Sequence, residues 1–255
     1  MVSGVIVSNR SNPDSRFPYW AWFEDGIPQL VDNDFSTLGG RYGNFLSGGS
    51  TIARDATKGW SQNACVLLTT GAGLTDQSEV KLPLFAMQGL ISFEHKILIG
   101  SPHVGGVFDW GVELRGSVNA VRARFRIFIT GGAGTDEIKY ESSLNTYTSF
   151  NPPLIIPRAI ASTNGDNWLT FRYVVDITNQ KYISFYAMTL GSANVSGTAI
   201  KYDMTALNGG AGQSFVTVAG LTGSLQLIFV SCQNAQALAQ TMRTTDWIIS
   251  QVPHG

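Results

Sequence analysis

The sequence predicts an all-β protein, an antiparallel two-sheet β-sandwich. Short apolar runs that alternate with polar residues recur along the 255 residues, and Gly, Pro and Asn separate them. Such alternation is typical of strands that bury one face, and many short strands in a row are typical of sandwiches and barrels. Charged residues make up only 14% of the chain, against roughly 25% in an average soluble protein. The polar surface therefore comes mainly from Ser, Thr, Asn and Gln.

The clearest alternation lies at Asn167–Met188 and predicts a central β-hairpin. Its strands are Trp168–Ile177 and Tyr182–Leu190. Asp176–Gln180 supplies the turn, because Asp and Asn side chains bond their own backbone. The same pattern predicts further strands at Ala64–Thr70, Ser78–Phe85, Gly89–Ile99, Val107–Leu114, Ala120–Thr130, Lys139–Ser142, Ala199–Met204, Phe215–Val218, Leu225–Val230 and Asp246–Val252.

Four segments depart from the strand pattern within a predicted single domain. Residues 1–20 form an extended N-terminal segment, and the Gly- and Ser-rich residues 36–50 form a surface excursion. Asn151–Pro157 contains three prolines, which donate no ladder hydrogen bond, so we expect it to cover a sheet edge. Asn234–Arg243 has apolar residues at helical spacing and predicts a short helix.

The strands Val107–Leu114 and Ala120–Thr130 each carry apolar residues on one face and charged residues on the other. A symmetric hairpin register pairs apolar with apolar and acidic with basic residues, and this agreement on both faces supports it. The predicted pairs are Leu114 with Val121, Val112 with Ala123, Trp110 with Phe125, Phe108 with Ile127, Glu113 with Arg122 and Asp109 with Arg126, which leaves Arg124 opposite Gly111.

Two interpretations of this charged hairpin remain open. The charges form cross-strand ion pairs on a solvated face, or they line a ligand groove in which Arg124, exposed over Gly111, and Arg126 bind the ligand. Trp110 and Trp60 are further candidate ligand-binding residues because aromatic rings stack on sugars. The alternative for both tryptophans is a place in the core.

The order of these features resembles the concanavalin A-like lectin/glucanase superfamily, a two-sheet jelly roll. The resemblance spans most of residues 20–252. It implies a jelly-roll fold of the lectin kind with carbohydrate as the ligand class. The residues that carry it are Phe23–Gly26, Ser61–Gly73, Phe108–Leu114, Trp168–Asp176 with Tyr182, and Asp246–Ile249.

One branch of that superfamily comprises retaining glycoside hydrolases, whose mark is a strand reading Glu-x-Asp-x-Glu. The nearest match is Asp109-Trp-Gly-Val-Glu113, in which an Asp replaces the first Glu and Gly111 replaces the middle Asp. The resemblance thus makes Asp109 and Glu113 the candidate catalytic pair. Each has an arginine opposite, which lowers a carboxyl pKa, so we expect no enzyme activity. Related folds sometimes bind Ca²⁺, and Asp32 and Asp34 are the candidate ligands.

The remaining sequence features limit the compartment and the partners. Cys65 and Cys232 lie in apolar runs and predict two buried free thiols, with a single disulfide as the alternative. No run approaches the ~18 apolar residues of a membrane span, and Met1 is not followed by a secretory signal. The formal net charge of −1 gives no global footprint for nucleic acid.

These observations favour a non-catalytic structural or attachment module, such as a capsid decoration or tail subunit of a phage virion. The grounds are the low charge, the Gly-rich excursion, the missing signal peptide and the altered hydrolase pattern. The expected partners are other subunits, in a homo-oligomer or larger assembly, and glycans, with no nucleic acid. The expected location is a virion or an extracellular surface, and the expected cofactor is none apart from Ca²⁺. The alternatives are a carbohydrate-binding protein that acts alone and a glycoside hydrolase.

Overall fold

The described part of the chain consists almost entirely of β-strands. The computed structural model describes residues 29–33, 43–55, 65–84, 87–99, 106–128, 135–157, 168–190, 200–223 and 226–252. A short 3₁₀ turn lies at Asn208–Gly210. The strands are β1 (Gln29–Asn33), β2 (Gly43–Leu46), β3 (Thr51–Asp55), β4 (Cys65–Thr69), β5 (Gln77–Leu84), β6 (Leu90–Ile99), β7 (Gly106–Arg115), β8 (Asn119–Phe128), β9 (Thr135–Ser143), β10 (Thr146–Pro157), β11 (Trp168–Asp176), β12 (Lys181–Leu190), β13 (Ile200–Asp203), β14 (Val216–Ala219), β15 (Gln226–Asn234) and β16 (Thr241–Gln251).

The strands form two eight-stranded antiparallel sheets, which confirms the predicted sandwich. The first sheet has the order β13-β12-β11-β6-β16-β4-β3, with β1 paired to β16. The second sheet has the order β10-β9-β8-β7-β15-β5-β2, with β14 paired to β8. Among the described strands, those adjacent in sequence pair directly in six ladders, which are β3–β4, β7–β8, β8–β9, β9–β10, β11–β12 and β12–β13. Among the residues that the structure describes, no helix is long and apolar enough to cross a membrane.

Aromatic side chains from both sheets meet in the core between them. The ring of Trp110 on β7 stacks on Phe171 of β11, with centroids 4.3 Å apart. The ring of Phe125 on β8 lies 4.5 Å from that of Phe185 on β12. Such pairs contribute about 0.5–1.5 kcal/mol beyond the area they bury. Because successive side chains in a strand point to opposite faces, this packing directs the odd-numbered residues of β7 and the even-numbered residues of β8 away from the core.

The predicted helix at Asn234–Arg243 is wrong. Strand β15 continues to Asn234, and β16 begins at Thr241, with a non-helical connection between them. The side-chain nitrogen Nδ2 of Asn234 donates to the carbonyl oxygens of Gly71 at 2.6 Å and Gly73 at 3.0 Å. Leu238, on the expected apolar face, is 40% exposed. A ten-residue periodic pattern gives a helix little stability without burial, so the hydrogen bonds to the neighbouring loop determine this connection.

The segment at 151–157 lies at a sheet edge, as predicted, but it belongs to a strand that the sequence pattern did not show. It forms the second half of β10, which is the last strand of the second sheet. The register shifts between Ser149 and Leu154, where two prolines interrupt the ladder. Within the expected excursion at 36–50, Gly43–Leu46 is also a strand, β2. The extended segment at 1–20 lies outside the described residues.

Both cysteines are buried free thiols, which confirms the prediction. Cys232 points into the core between the sheets. Cys65 packs with Leu98 and Trp168 on the opposite face of the first sheet. The two residues therefore act as small apolar side chains in different clusters.

His95 on β6 is a titratable group inside the core. The side chain is fully buried, and neither ring nitrogen has a hydrogen-bond partner. Its ring lies 5.4 Å from that of Tyr173 and 5.8 Å from that of Trp247. Burial lowers the pKa of His95 from 6.5 to about 3, because the charged form loses its hydration.

We expect this histidine to make the protein less stable in mild acid. Its folded-state pKa is depressed, so the unfolded chain takes up a proton first. The contribution of neutral His95 to stability is therefore fully present above pH 6.5 and is lost as the pH falls towards about 3. The expected slope is about 1.4 kcal/mol of unfolding free energy per pH unit. Urea unfolding of the wild type and of His95→Phe across this range should differ by that slope. Parallel pH profiles for the two proteins would contradict this.

Candidate ligand-binding face on the second sheet

The β7–β8 hairpin has the register that the sequence predicts. Trp110 lies opposite Phe125, Asp109 opposite Arg126 and Gly111 opposite Arg124. Glu113 lies opposite Arg122. The apolar partners face the core, so the charged partners share the outer face of the second sheet.

This outer face continues over the neighbouring strands, and we call it the charged face. It extends onto β9, whose outward residues pair with those of β8, and through β15 onto β5. Phe128 on β8 and Tyr147 on β10 lie on it beside the arginines, and Phe229 on β15 lies on it between Gly111 and Lys81. The charged residues of the face are Glu79, Lys81, Asp109, Glu113, Arg115, Arg122, Arg124, Arg126, Glu137, Lys139 and Glu141.

Asp109 is the central carboxylate of the charged face. Arg126 binds it with two hydrogen bonds, from Nε to Oδ1 at 2.6 Å and from Nη2 to Oδ2 at 2.7 Å. Arg124 donates from Nη2 to Oδ2. The Asp109 side chain is only 2% exposed. Burial alone would raise the pKa of Asp109, but the two guanidiniums outweigh it and hold that pKa below its usual value.

The second predicted ion pair has different side-chain partners. Glu113 accepts a hydrogen bond from Nε of Arg115 on its own strand, at 2.7 Å. Arg122 instead binds both carboxylate oxygens of Glu141 on β9, at 2.7 and 2.6 Å. Glu141 is fully buried and needs a counter-charge, and β9 adjoins β8 on this side. The expectation of a solvated face holds only in part. The carboxylates of Asp109, Glu113 and Glu141 are buried, whereas the cationic side chains Arg124, Arg126 and Lys81 are 14%, 18% and 26% exposed.

Arg124 is not freely exposed over Gly111, as the groove interpretation required. Its side chain is 14% exposed and turns to Asp109. The Arg124 backbone N–H donates to the Tyr182 hydroxyl of the first sheet at 2.8 Å. At Gly111 a β-carbon would lie 2.0 Å from the carbonyl oxygen of Ala123. The strands approach so closely there that no side chain fits at position 111.

Phe128 and Tyr147 form an aromatic patch beside the arginines. The two rings meet edge to face at 5.3 Å. The Arg126 guanidinium lies 4.2 Å from the centre of the Tyr147 ring, and the Lys139 ammonium lies 5.1 Å from that of Phe128. Phe128 and Tyr147 are each partly exposed, although the Tyr147 hydroxyl is buried. Cations over aromatic faces at these distances attract the rings.

The sequence reasoning missed several members of this face. Phe128 follows Arg122, Arg124 and Arg126 at the same two-residue spacing, so the alternation already indicated its position. Tyr147 lies in the strand that the prediction lacked.

Glu79 was also missed, although it lies in a predicted strand. It is buried on β5, and its partner on β15 is Ser231, which also pairs with Asp109. Desolvation raises the pKa of Glu79, although Lys81 at 2.6 Å opposes that shift. The carboxyl group of Glu79 therefore ionises less readily than that of Asp109, whose pKa is lowered.

The other predicted site residues do not join this face. Trp110 is fully buried in the core, where its ring stacks on Phe171, so it offers no surface to a ligand. Trp60 and Asp34 lie outside the described residues. Asp32 lies in β1 opposite Ile248, and only its backbone is described. Three or more metal-ligating side chains do not cluster anywhere in the described ranges. The Ca²⁺ site stays a prediction.

Comparison with known proteins shows the fold. No family model and no curated protein matches the sequence. The endo-β-1,4-glucuronan lyase of the fungus Trichoderma reesei matches with a TM-score of 0.52 and 8% identity, over 88% of this chain and 96% of that one. The CBM2 module of the evolved Dit of Lactobacillus casei BL23 phage J-1 matches with a TM-score of 0.51 and 8% identity, over 89% and 97%. Both likenesses show the fold alone, an antiparallel two-sheet jelly roll.

In this jelly roll, the strand that resembles the hydrolase motif lacks the motif's chemistry. Retaining hydrolysis needs one carboxyl group as the nucleophile and a second with a raised pKa as the general acid. Here arginines hold both carboxylates: Arg124 and Arg126 bind Asp109, and Arg115 binds Glu113. Gly111 admits no middle acid, and Asp109 is ionised between two arginines.

We expect the free energy of unfolding to depend much more on Asp109 than on Glu137, a partly exposed carboxylate of the same face. Asp109→Ala leaves two largely buried guanidiniums without their counter-charge and should lower the unfolding free energy by about 3–5 kcal/mol. Glu137→Ala removes the partner of Lys139, which lies 3.1 Å away; the two side chains are 19% and 26% exposed, so the change should cost less than about 1 kcal/mol. Chemical denaturation measures both. Similar costs for the two variants would show that Asp109 does not anchor the face.

Proposed function

We propose that this protein is a non-catalytic carbohydrate-binding attachment module that presents its charged face to a glycan. The observation that carries the proposal is Asp109, which two arginines hold ionised at the position that resembles the first carboxyl residue of the hydrolase pattern. A carboxylate in that state positions the arginines and takes no part in proton transfer. The face around it then serves for binding.

The aromatic patch supplies a surface suited to sugars. Phe128 and Tyr147 are partly exposed residues of the charged face, next to the N–H groups of Arg126 and Lys139. An aromatic ring packs against the apolar face of a pyranose, while cationic donors bond its oxygens. Ligand sites typically combine an apolar surface with a small number of polar groups that point towards the ligand.

We further propose that the module belongs to a larger assembly such as a phage particle. The CBM2 module with the same fold comes from a phage Dit, which supports this setting. The low charge suits packing against neighbouring subunits. A carbohydrate-binding protein that acts alone is the alternative. The mass of the purified protein in solution separates the two, because the assembly requires more than a monomer.

Affinity electrophoresis in gels that contain soluble polysaccharides tests the binding. We expect the wild type to be retarded by at least one polysaccharide. Phe128→Ala should weaken binding about tenfold, since it removes an aromatic contact at the centre of the site. Phe45→Ala is the matched control, because Phe45 lies on the outer face of β2 at the far edge of the same sheet, is 48% exposed, and should leave binding unchanged.

The same polysaccharides test the absence of catalysis. We expect no release of reducing ends and no new absorbance from unsaturated products. Cleavage by the wild type that disappears in Glu113→Gln or Glu79→Gln would overturn the non-catalytic assignment in favour of an enzyme. Lack of retardation in every gel, or equal losses in Phe128→Ala and Phe45→Ala, would overturn the binding face.

A further inference from the structure

The charge balance of the charged face points to the kind of glycan it binds. We infer that Arg124 and Arg126 form a subsite for the anionic group of an acidic glycan, either the carboxylate of a uronic acid or a sulfate ester. This inference rests on the proposed function, because it assigns a ligand class to the same face. Three features of the face carry it: its charge count, its unpaired donors and the fixed orientation of Arg126.

The described charges of the face do not balance, and the imbalance lies at one place. Six cations face five carboxylates. Four pairs are one to one, and Asp109 alone is shared by two cations, Arg124 and Arg126. The excess positive charge therefore lies at these two arginines. The balanced pairs are Lys81 with Glu79 at 2.6 Å, Arg115 with Glu113 at 2.7 Å, Arg122 with Glu141 at 2.6 Å and Lys139 with Glu137 at 3.1 Å.

Unpaired donors lie at the same place. Arg124 uses Nη2 on Asp109, and its Nε is buried without a partner. The hydroxyl oxygen of Tyr147, whose ring lies under Arg126, is also buried without a partner. A buried donor that lacks a partner destabilises a protein by about 1–3 kcal/mol. Beside an uncompensated guanidinium, these two groups leave hydrogen-bonding capacity that no acceptor among the described residues uses.

Arg126 is held in a fixed orientation before any ligand arrives. Asp109 binds it through two nitrogens, and the Tyr147 ring lies against its guanidinium at 4.2 Å. A planar guanidinium fixed in this way binds a carboxylate or sulfate with little loss of side-chain entropy. A neutral hydroxyl would accept a hydrogen bond but leave the excess charge in place. An acidic glycan is therefore the ligand class that this geometry favours.

Isothermal titration calorimetry with paired polysaccharides tests the inference. The carboxylate probes are alginate, polygalacturonate and hyaluronan, each compared with its own esterified, uncharged form. The sulfate probe is dextran sulfate, compared with dextran. We expect at least one acidic member to bind the wild type about tenfold or more tightly than its uncharged counterpart, which is the size of one charge-assisted hydrogen bond. Added salt should weaken the acidic member alone. Tightest binding of a uronate or of dextran sulfate identifies the anionic group.

Variants then locate the subsite. Arg126→Gln should reduce the affinity for the acidic polysaccharide to that of its uncharged form. Lys81→Gln makes the same change of charge on the same face, at a balanced pair, and should change the affinity less than about twofold, because long-range effects are screened. The wild-type comparison stands even if Arg126→Gln fails to fold.

The outcomes separate the two levels of the proposal. Equal affinity for acidic and uncharged forms would leave the glycan-binding function intact and overturn the acidic subsite. Equal losses in Arg126→Gln and Lys81→Gln would show a diffuse electrostatic effect and also overturn the subsite. Absence of binding to every polysaccharide would overturn the proposed function itself.

Discussion

The charged face depends on the buried carboxylate of Asp109, which binds two guanidiniums of the neighbouring strand. Its neighbour Trp110 points to the other side of β7 and stacks on Phe171 in the core. A shift of β7 by one residue would place the carboxylate in the core and the indole outside, at a cost that no other contact offsets. The same two residues therefore fix the register of the hairpin and the composition of both faces of the second sheet.

This arrangement connects the stability of the hairpin to its function. A carboxylate that neutralises two cations has a low pKa and is poorly suited to act as a general acid. Because one carboxylate cannot fully compensate two guanidiniums, the pair retains positive charge. Because the apolar residues of β7 and β8 face the core, this charge lies on the outer face, next to the partly exposed Phe128 and Tyr147.

The hairpin register was predictable because two independent patterns, apolar and charged, give the same alignment. The side-chain partners were not predictable, because the sequence does not show which strand lies beside β8. That strand is β9, and its Glu141 binds Arg122 in place of Glu113. The prolines of β10 argued against a strand there, so neither β10 nor the position of Tyr147 was predicted. The helix at 234–243 failed because a short periodic pattern is weaker than the hydrogen bonds of Asn234 to the adjacent loop. Fold class needs only periodicity, whereas the site needs contacts between distant strands.

The most direct test of the account is the location of the bound glycan on the protein. Two-dimensional NMR of labelled protein, titrated with an oligosaccharide of the polysaccharide that binds, measures which groups the ligand perturbs. The account predicts shifts concentrated at Arg124, Arg126, Phe128 and Tyr147, with the outer face of the first sheet, including Lys201, unchanged. Perturbations confined to the first sheet or to the loops at the ends of the sandwich would contradict it.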